Sequence, residues 1–353
     1  MKLVKCLGAN VSGKRTAFVY LLIDMLGVVI WATVFYTVNA IVHFDFLTMT
    51  MTAVSIALMN TLFRLATVIV LAPLIGVLEK CVCLLIPENP ESVREEQEMD
   101  RLEERFLLHP ALALEQSRQV TDAMAQRAMD NLLRAMELVH RFSDKGCRAV
   151  EDTEDAIDRY EDRLGTYLMK ITGKELSQRQ SEEVSKYLHT ISDFERISDH
   201  AMNMVSVAEE KQQKDLNFTS QATAEVKVMC SAVRDVLDIA MEAFEKHDLE
   251  LATRVEPLEE VVDKIRTKLK NRHVKRLQTG ECTIEMGFVF SDLLTNLERV
   301  SDHCSNIAVC LIQENDESFD VHEYVQMLKN SGEGFDGQVK RYSEKYALPA
   351  KEF

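Results

Sequence analysis

The chain has 353 residues, enough for one large domain or two smaller ones. Glycine (12) and proline (6) are scarce, so we predict helix almost throughout. The formal net charge of −16 argues against a nucleic-acid-binding protein, because that function requires a basic surface. The eight cysteines include no CxxC pair with zinc-finger spacing, and we interpret them as reduced residues that mostly pack.

Two apolar stretches near the N-terminus predict a membrane domain at residues 1–86, with spans at about 17–42 and 51–78. The linker between these spans has no lysine or arginine, whereas four basic residues flank the first span: Lys2, Lys5, Lys14 and Arg15. By the positive-inside rule, the N-terminus and everything after the second span lie in the cytoplasm. We therefore predict a protein of the inner cell membrane.

Each predicted span carries one charged residue, Asp24 in the first and Arg64 in the second. Ionisable side chains inside a membrane are costly and usually mark a function. Three interpretations stay open: a structural ion pair between the two residues, a place on an ion path, and contact with a partner chain.

Beyond a polar linker at 87–110, hydrophobic residues follow a helical period of 3.6 nearly to the end of the chain. Six long helices are predicted in two groups of three, at about 111–144, 147–171 and 177–211, then at about 220–246, 249–278 and 282–313. A shorter C-terminal helix is predicted at about 321–344, interrupted near 331–334. The predicted fold is all-α, a two-span transmembrane helical hairpin followed by a duplicated three-helix bundle within 111–345, with repeat 1 at about 111–211 and repeat 2 at about 220–313.

An acidic motif occurs twice in this region, which indicates duplication of the three-helix unit. DFERISDHAMNM at 193–204 recurs as NLERVSDHCSNI at 296–307. Glu, Asp and Asn stand four residues apart in both copies, at Glu195, Asp199 and Asn203, and at Glu298, Asp302 and Asn306. An earlier acid pair is also repeated, as Glu154 and Asp158 in EDAID and as Glu259 and Asp263 in EEVVD.

Like charges four residues apart destabilise a helix, so the repeated motif calls for an explanation. Helical geometry places these carboxylates roughly opposite the apolar stripe, which is consistent with a solvated acidic face. A three-helix bundle would also bring the acid pairs of neighbouring helices together in each repeat. Oxygen donors of this kind suit Mg²⁺, Ca²⁺, Mn²⁺ or iron, so a solvated face and a cation site both stay open.

Two further pairs of residues accompany the motif. His200 and His303 are either nitrogen ligands at the edge of the acidic stripe or ordinary packed or surface histidines. Arg196 and Arg299 either pair with their acidic neighbours or hold phosphate as bidentate donors.

Over about residues 112–313, these motifs resemble the PhoU family, whose repeats carry E(D)xxxD and a signature close to ERISDHAMNM and LERVSDHCSNIA. The resemblance implies two three-helix bundles that bind a divalent metal or iron and a role in the control of phosphate uptake. It also implies metal ligands at Glu154, Asp158, Glu195, Asp199, Glu259, Asp263, Glu298 and Asp302, with Asn203 and Asn306 in second rank.

The N-terminal spans, in LGANVSGKRTAFVYLLIDMLGVVIW and ALMNTLFRLATVIVLAPLIGVLEK, resemble the closing spans of bacterial sodium/phosphate cotransporters. Such transporters often end in a PhoU-like domain, and the complete system moves sodium and phosphate. The QSSS-type substrate motifs of that family are absent from this sequence, and two spans do not supply two inverted membrane repeats. We therefore predict a chain that is incomplete as a transporter by itself, with a missing transporter half or another copy of itself as partner.

The sequence favours a membrane-anchored PhoU-like domain that acts in phosphate transport or its regulation, with phosphate as an indirect partner. The alternative is a structural helical adaptor whose acidic face binds a partner protein. We predict no enzyme, because the acid pairs are accompanied by neither an activated nucleophile nor a glycine-rich phosphate loop.

Overall fold

The structure, a computed structural model, describes residues 11–44, 50, 52–86, 90–313 and 333–350. The chain divides into two compact units, 1–94 and 95–353. Every regular element in the described residues is helical, which confirms the all-α prediction. Part of the predicted inter-span linker, residues 45–49, and the first part of the predicted C-terminal helix, residues 321–332, lie outside the described residues.

The first unit contains α1 (Val11–Val42), α2 (Ala53–Leu71) and α3 (Ile75–Leu85), and α1 packs against the other two. A 3-10 turn at Ala72–Leu74 separates α2 from α3. Pro73 lies in that turn, and its missing N–H explains why the α-helical hydrogen bonds do not continue through it. The apolar residues 81–85 form the end of α3.

Two segments of this unit, Arg15–Val42 and Ala53–Leu85, are long and apolar enough to cross a membrane, with mean hydropathies of 2.2 and 2.3. Only 6% and 11% of their most apolar windows are buried within the protein. The core helices of a soluble protein bury most of such a window. The described part of the protein therefore leaves the apolar surface of these two helices exposed.

A groove of about 640 Å³ runs between α1 and α2. The helices approach closely at Gly27, where a Cβ atom would lie 2.8 Å from Thr67 Cγ2, and Trp31 Nε1 donates a 2.8 Å hydrogen bond to Thr67 Oγ1. Asp24 and Arg64 both line the groove and are exposed. Within the described residues no ion pair joins these two side chains.

The second unit is built from long helices, preceded by α4 (Pro90–Met99) and a 3-10 segment at Glu104–Leu108. The predicted linker at 87–110 therefore holds two helical segments. Arg159 donates two hydrogen bonds to the Glu95 carboxylate, at 2.7 and 3.0 Å, and Tyr160 hydrogen-bonds to Glu98. These contacts bind the second half of α4 to the bundle.

The two repeats follow in chain order. Repeat 1 contains α5 (Pro110–His140), α6 (Asp144–Thr172) and α7 (Gln178–Gln213). Repeat 2 contains α8 (Ser220–Lys246), α9 (Leu249–Ala252), α10 (Val255–Gln278) and α11 (Ile284–Gln313), and α12 (Glu333–Lys345) packs on α10. Ser177 and Gln180 form a capping box that fixes the start of α7.

One long helix predicted at 249–278 is divided into α9 and α10. The Asp248 carboxylate caps α9 by accepting hydrogen bonds from the N–H groups of Glu250 and Leu251. Pro257, in the first turn of α10, has no N–H to donate to the preceding turn. The helix therefore stops and restarts between these two residues.

Helix packing places the motif-bearing helices beside one another. Within repeat 1, α7 packs against α5 and α6, and within repeat 2, α11 packs against α8 and α10. The repeats meet where α7 packs against α11 and α5 against α8. Aromatic side chains extend the core across this boundary, where the rings of Phe194 on α7 and Phe244 on α8 lie edge to face with centroids 5.1 Å apart.

Candidate metal site

The first acidic cluster comprises Glu154 and Asp158 on α6 with Glu195 and Asp199 on α7. Burial, followed by the charge of Asp199, raises the pKa of Glu195 to about 7. Burial and then the charge of Asp199 also raise the pKa of Asp158, and Asp199 contributes to the raised pKa of Glu154. The structure therefore brings the four predicted ligands of repeat 1 into one electrostatically coupled group.

The second acidic cluster comprises Asp263 on α10 with Glu298 and Asp302 on α11. Burial and then Asp302 raise the pKa of Glu298, while Arg266 opposes the shift. Burial also raises the pKa of Asp302, and the charge of Asp263 contributes to this increase. Glu259 lies half-buried one helical turn before Asp263.

The first carboxylate of each motif is more buried than the helical geometry had predicted, whereas Asp199 and Asp302 are about one third exposed. The Glu298 side chain is 11% exposed and the Glu195 side chain 18% exposed. The reason is that α7 packs against three neighbouring helices and α11 against four, so their buried faces extend to the edge of the acidic stripe. Exposure then increases along the stripe through Asp199 and Asp302 to the exposed Asn203 and Asn306.

The arginines of the motif pair with their acidic neighbours, as one of the two interpretations had it. Arg196 Nη1 lies 3.3 Å from Asp199 Oδ2, and Arg299 Nη1 lies 3.2 Å from Asp302 Oδ2. Arg299 Nε also lies 3.9 Å from Glu298 Oε2, a buried oxygen that accepts no hydrogen bond within the described part of the chain.

The two histidines of the motif lie at the boundary between the repeats. His303 Nδ1 lies 2.9 Å from Asp193 Oδ1, and His200 Nδ1 lies 2.8 Å from Asn296 Oδ1. The two rings are 5.6 Å apart between centroids. Asn306 Nδ2 donates a 3.2 Å hydrogen bond to the same Asp193 oxygen, so this candidate metal ligand of repeat 2 contacts repeat 1.

The first acidic cluster fits a hard cation by the chemistry of its donors, because carboxylate oxygens are the ligands that Mg²⁺, Mn²⁺ and iron accept. A cation there would also offset the repulsion that raises the pKa of Glu195. Among the residues that the structure describes, no three His, Cys, Asp or Glu side chains are already positioned so that they could hold one metal ion. Binding therefore requires the carboxylates to turn toward a common point.

The comparison with known families decides the identity of the second unit. The family model of the PhoU domain matches residues 121–208 and 226–311, one match in each repeat. This part of the chain belongs to the PhoU family. The duplication predicted from the two acidic motifs is thereby confirmed.

Relatives of known identity agree with this assignment. The chain is 24% identical over 208 residues to "phosphate-specific transport system accessory protein PhoU homolog 1" of Thermotoga maritima, covering 59% of this chain and 88% of that protein. It is 26% identical over 187 residues to a PhoU homolog of Xylella fastidiosa, covering 52% and 77% of the two chains.

Two solved structures share the fold. PhoU from Pseudomonas aeruginosa matches with a TM-score of 0.55 and 21% identity, over 58% of this chain and 98% of that one. The regulatory protein PhoU from Streptococcus pneumoniae matches with a TM-score of 0.54 and 15% identity, over 60% and 99%. At these identities, the likeness concerns the fold alone.

The two PhoU domains differ at a position that the motif analysis missed. Glu161 on α6 is half-buried, and its charge contributes to the raised pKa of Glu195. Arg266 on α10 lies within 3.4 Å of Asp263 and 3.1 Å of Glu298. Both residues stand three positions after the last acid of their pair, at Asp158 and Asp263, so extension of the repeat alignment by one helical turn would have found them.

The raised pKa of Glu195 leads to a prediction about stability and pH. Its pKa of about 7 in the folded chain exceeds the ordinary value of 4.5, so the folded chain holds this proton more tightly. Protonated Glu195 therefore stabilises the folded chain at low pH, and this stabilisation is lost as the pH rises from about 4.5 to about 7. At pH 8 in the presence of a chelator, we expect Glu195→Gln to raise the free energy of unfolding by about 1–3 kcal/mol.

This prediction is measured by urea unfolding of the full chain in detergent at pH 5 and pH 8. The matched control is Glu209→Gln, an exposed position on the same helix, for which we expect less than about 0.5 kcal/mol of change. Equal destabilisation by Glu195→Gln at both pH values would contradict the assigned repulsion.

Proposed function

We propose that this chain is a membrane-anchored regulator of phosphate transport within the sodium-dependent phosphate cotransporter family. In this proposal the first unit spans the inner membrane as a hairpin, and the PhoU domains lie in the cytoplasm. They bind a divalent metal or iron and control the movement of phosphate without catalysing a reaction. The observation that carries the proposal is the presence, on one chain, of two PhoU domains and two exposed apolar helices.

The names of the relatives support the regulatory part of the proposal. The Thermotoga maritima relative is an accessory protein of a phosphate-specific transport system, and the Streptococcus pneumoniae protein is a regulatory protein of phosphate transport. Neither name denotes an enzyme. The adaptor alternative draws no support of its own from these comparisons.

The residues of the first acidic cluster would hold the metal. Glu154 and Asp158 present their carboxylates from α6, while Glu195 and Asp199 present theirs from α7. A bound cation supplies a positive charge that converts their mutual repulsion into attraction. Ionised Glu195 would therefore be stabilised on binding, and α6 and α7 would be joined at this level of the bundle.

The membrane groove supports an assembly with a partner. Asp24 and Arg64 are exposed on helices that the proposal places in lipid. An uncovered charge at the middle of a membrane costs about 2.5–3.5 kcal/mol. A missing transporter half or a second copy of this chain would cover the groove. The proposed transport activity therefore belongs to the assembly, with sodium and phosphate as its transported species.

The experiment that tests this proposal uses bacterial cells with and without the full chain. We expect the chain to stay in the membrane fraction after an alkaline carbonate wash and to change the initial rate of labelled phosphate uptake. Proteoliposomes that contain this chain alone should show no sodium-driven uptake. Recovery in the soluble fraction would refute the anchor, and an unchanged uptake rate in cells would refute the regulatory role.

The metal-binding part has its own prediction. We expect elemental analysis of the full chain, purified from membranes, to find bound metal, and Glu195→Gln combined with Glu154→Gln to reduce that content at least tenfold, since each change removes a charged ligand at a cost of about 1.4 kcal/mol or more. Glu209→Gln is the control on α7 and should retain the parental metal content. Full retention in the double variant would refute the assigned ligands.

A further inference from the structure

The helix register makes Glu161 and Arg266 equivalent positions of the two repeats. An offset of 105 residues superposes the acid pairs, Glu154 on Glu259 and Asp158 on Asp263. The same offset superposes buried positions on buried positions, namely Ile157 on Val262, Tyr160 on Ile265, and Leu164 on Leu269. One turn further along the acidic face, repeat 1 therefore has a carboxylate where repeat 2 has a guanidinium.

Arg266 is placed inside the second acidic cluster. Its Nη1 atom lies 3.1 Å from Glu298 Oε1 and 3.4 Å from Asp263 Oδ1, so it joins α10 to α11. The Arg266 side chain is 24% exposed, and the Glu298 side chain that it contacts is 11% exposed. An arginine keeps its charge at any physiological pH, so this cluster always contains a positive group.

Glu161 has the opposite effect in the first acidic cluster. Glu161 is half-buried and stands three residues after Asp158 on α6, the place that Arg266 holds after Asp263 on α10. Repeat 1 thus concentrates negative charge at the position where repeat 2 compensates it.

We propose that Arg266 is a built-in counter-ion that closes the second acidic cluster to metal, so that the chain binds metal through repeat 1 only. For a metal to enter repeat 2, the guanidinium would have to leave both Asp263 and Glu298 and remain close to the incoming cation. The first acidic cluster offers Glu161 as an additional oxygen donor. This inference rests on the proposed metal binding and restricts it to one of the two clusters.

The test is a Mn²⁺ titration of the full chain in detergent after removal of metal with a chelator, followed by calorimetry. Relative to the parent protein, we expect Glu195→Gln to weaken Mn²⁺ binding at least tenfold. We expect Glu298→Gln to leave the stoichiometry and affinity of Mn²⁺ binding unchanged. This comparison uses conservative variants and requires no alteration of Arg266. Loss of part of the bound Mn²⁺ in Glu298→Gln would overturn the inference.

Charge exchange at the equivalent positions gives the reciprocal test. Arg266→Glu should increase the number of bound Mn²⁺ ions about twofold, and Glu161→Arg should abolish binding in repeat 1. Lys268→Glu makes the same charge change at an exposed position of α10 and should leave the stoichiometry unchanged. An unchanged stoichiometry in folded Arg266→Glu would overturn the inference, with folding checked by its helical circular dichroism.

Different results would refute the proposed metal binding and the exclusion of metal by Arg266. Absence of Mn²⁺ binding in the parent protein and in every variant would refute the proposed metal binding, and this inference with it. Binding to both clusters of the parent protein, reduced by Glu195→Gln and by Glu298→Gln alike, would refute only the exclusion by Arg266.

Discussion

Glu225→Gln is expected to lower the free energy of unfolding by about 3–5 kcal/mol, because it leaves one buried and one half-buried guanidinium group without their anion. Glu225 on α8 is fully buried, and its two oxygens accept hydrogen bonds from Arg272 Nη1 at 2.7 Å and Arg276 Nη1 at 2.8 Å. The Arg276 side chain is only 5% exposed. Water therefore has little access to the charge that the substitution would leave unpaired.

Urea unfolding of the full chain in detergent measures this effect. The matched control is Glu242→Gln on the same helix, where an exposed carboxylate pairs with Lys246 at 2.6 Å. We expect this control to cost less than about 1 kcal/mol, as exposed ion pairs contribute little. Similar losses of unfolding free energy in Glu225→Gln and Glu242→Gln would show that burial does not determine how much the Glu225 ion pairs contribute to stability.

The repeat alignment supplies a second control. Residues 105 positions before Glu225, Arg272 and Arg276 are apolar and buried: Val120, Tyr167 and Ile171. Replacing the three charged residues together by these apolar counterparts should restore most of the stability that Glu225→Gln removes, because no charge is left unpaired. A triple variant less stable than Glu225→Gln would contradict this explanation.

Phe194→Ala is expected to lower the free energy of unfolding by about 3–5 kcal/mol, through lost burial and the cavity that remains. Phe194 is fully buried and lies edge to face with Phe244 at a centroid distance of 5.1 Å. The two rings belong to different repeats, so the cavity would open at their boundary. It would also lie next to Glu195, the first acid of the motif.

Chemical unfolding and metal content together test this prediction. Phe288→Ala on α11 removes the same atoms from a residue that is 65% exposed, and we expect a change of less than about 0.5 kcal/mol. In Phe194→Ala we also expect weaker Mn²⁺ binding, because Phe194 precedes Glu195 on α7 and its packing holds that part of the helix in position. Equal effects of the two substitutions would refute the role of Phe194 in joining the repeats.

Much of the fold could be predicted from the sequence because its apolar pattern is regular. The period of 3.6 predicts α5 to α8 with starts and ends within a few residues, and the repeated motif predicts the duplication. The division at 253–254 was missed because Pro257 follows Asp248 closely enough to restart the helix without a visible loop. The helical segments in the predicted linker were missed because α4 is stabilised by Arg159 and Tyr160, which follow much later in the chain.

The sequence predicted which residues form the candidate site, but not how buried they are or which side chains of other helices they contact. The spacing of Glu195 and Asp199 predicts a shared face, and the structure places the α6 carboxylates against it. Burial was misjudged because a single helical wheel does not show how many helices pack around α7. The roles of Arg266 and Asp193 depend on contacts between helices, which no pattern within one helix reveals.

The histidine contacts at the boundary of the repeats have a thermodynamic consequence. Asp193 of repeat 1 contacts His303 of repeat 2, while Asn296, the equivalent of Asp193, contacts His200. Such an exchange of equivalent partners is the arrangement of a two-fold symmetric dimer. Here the two halves are linked within one chain, between Gln213 and Ser220, so their association is intramolecular and independent of protein concentration. Dilution, which dissociates dimers of separate subunits, should leave this boundary intact.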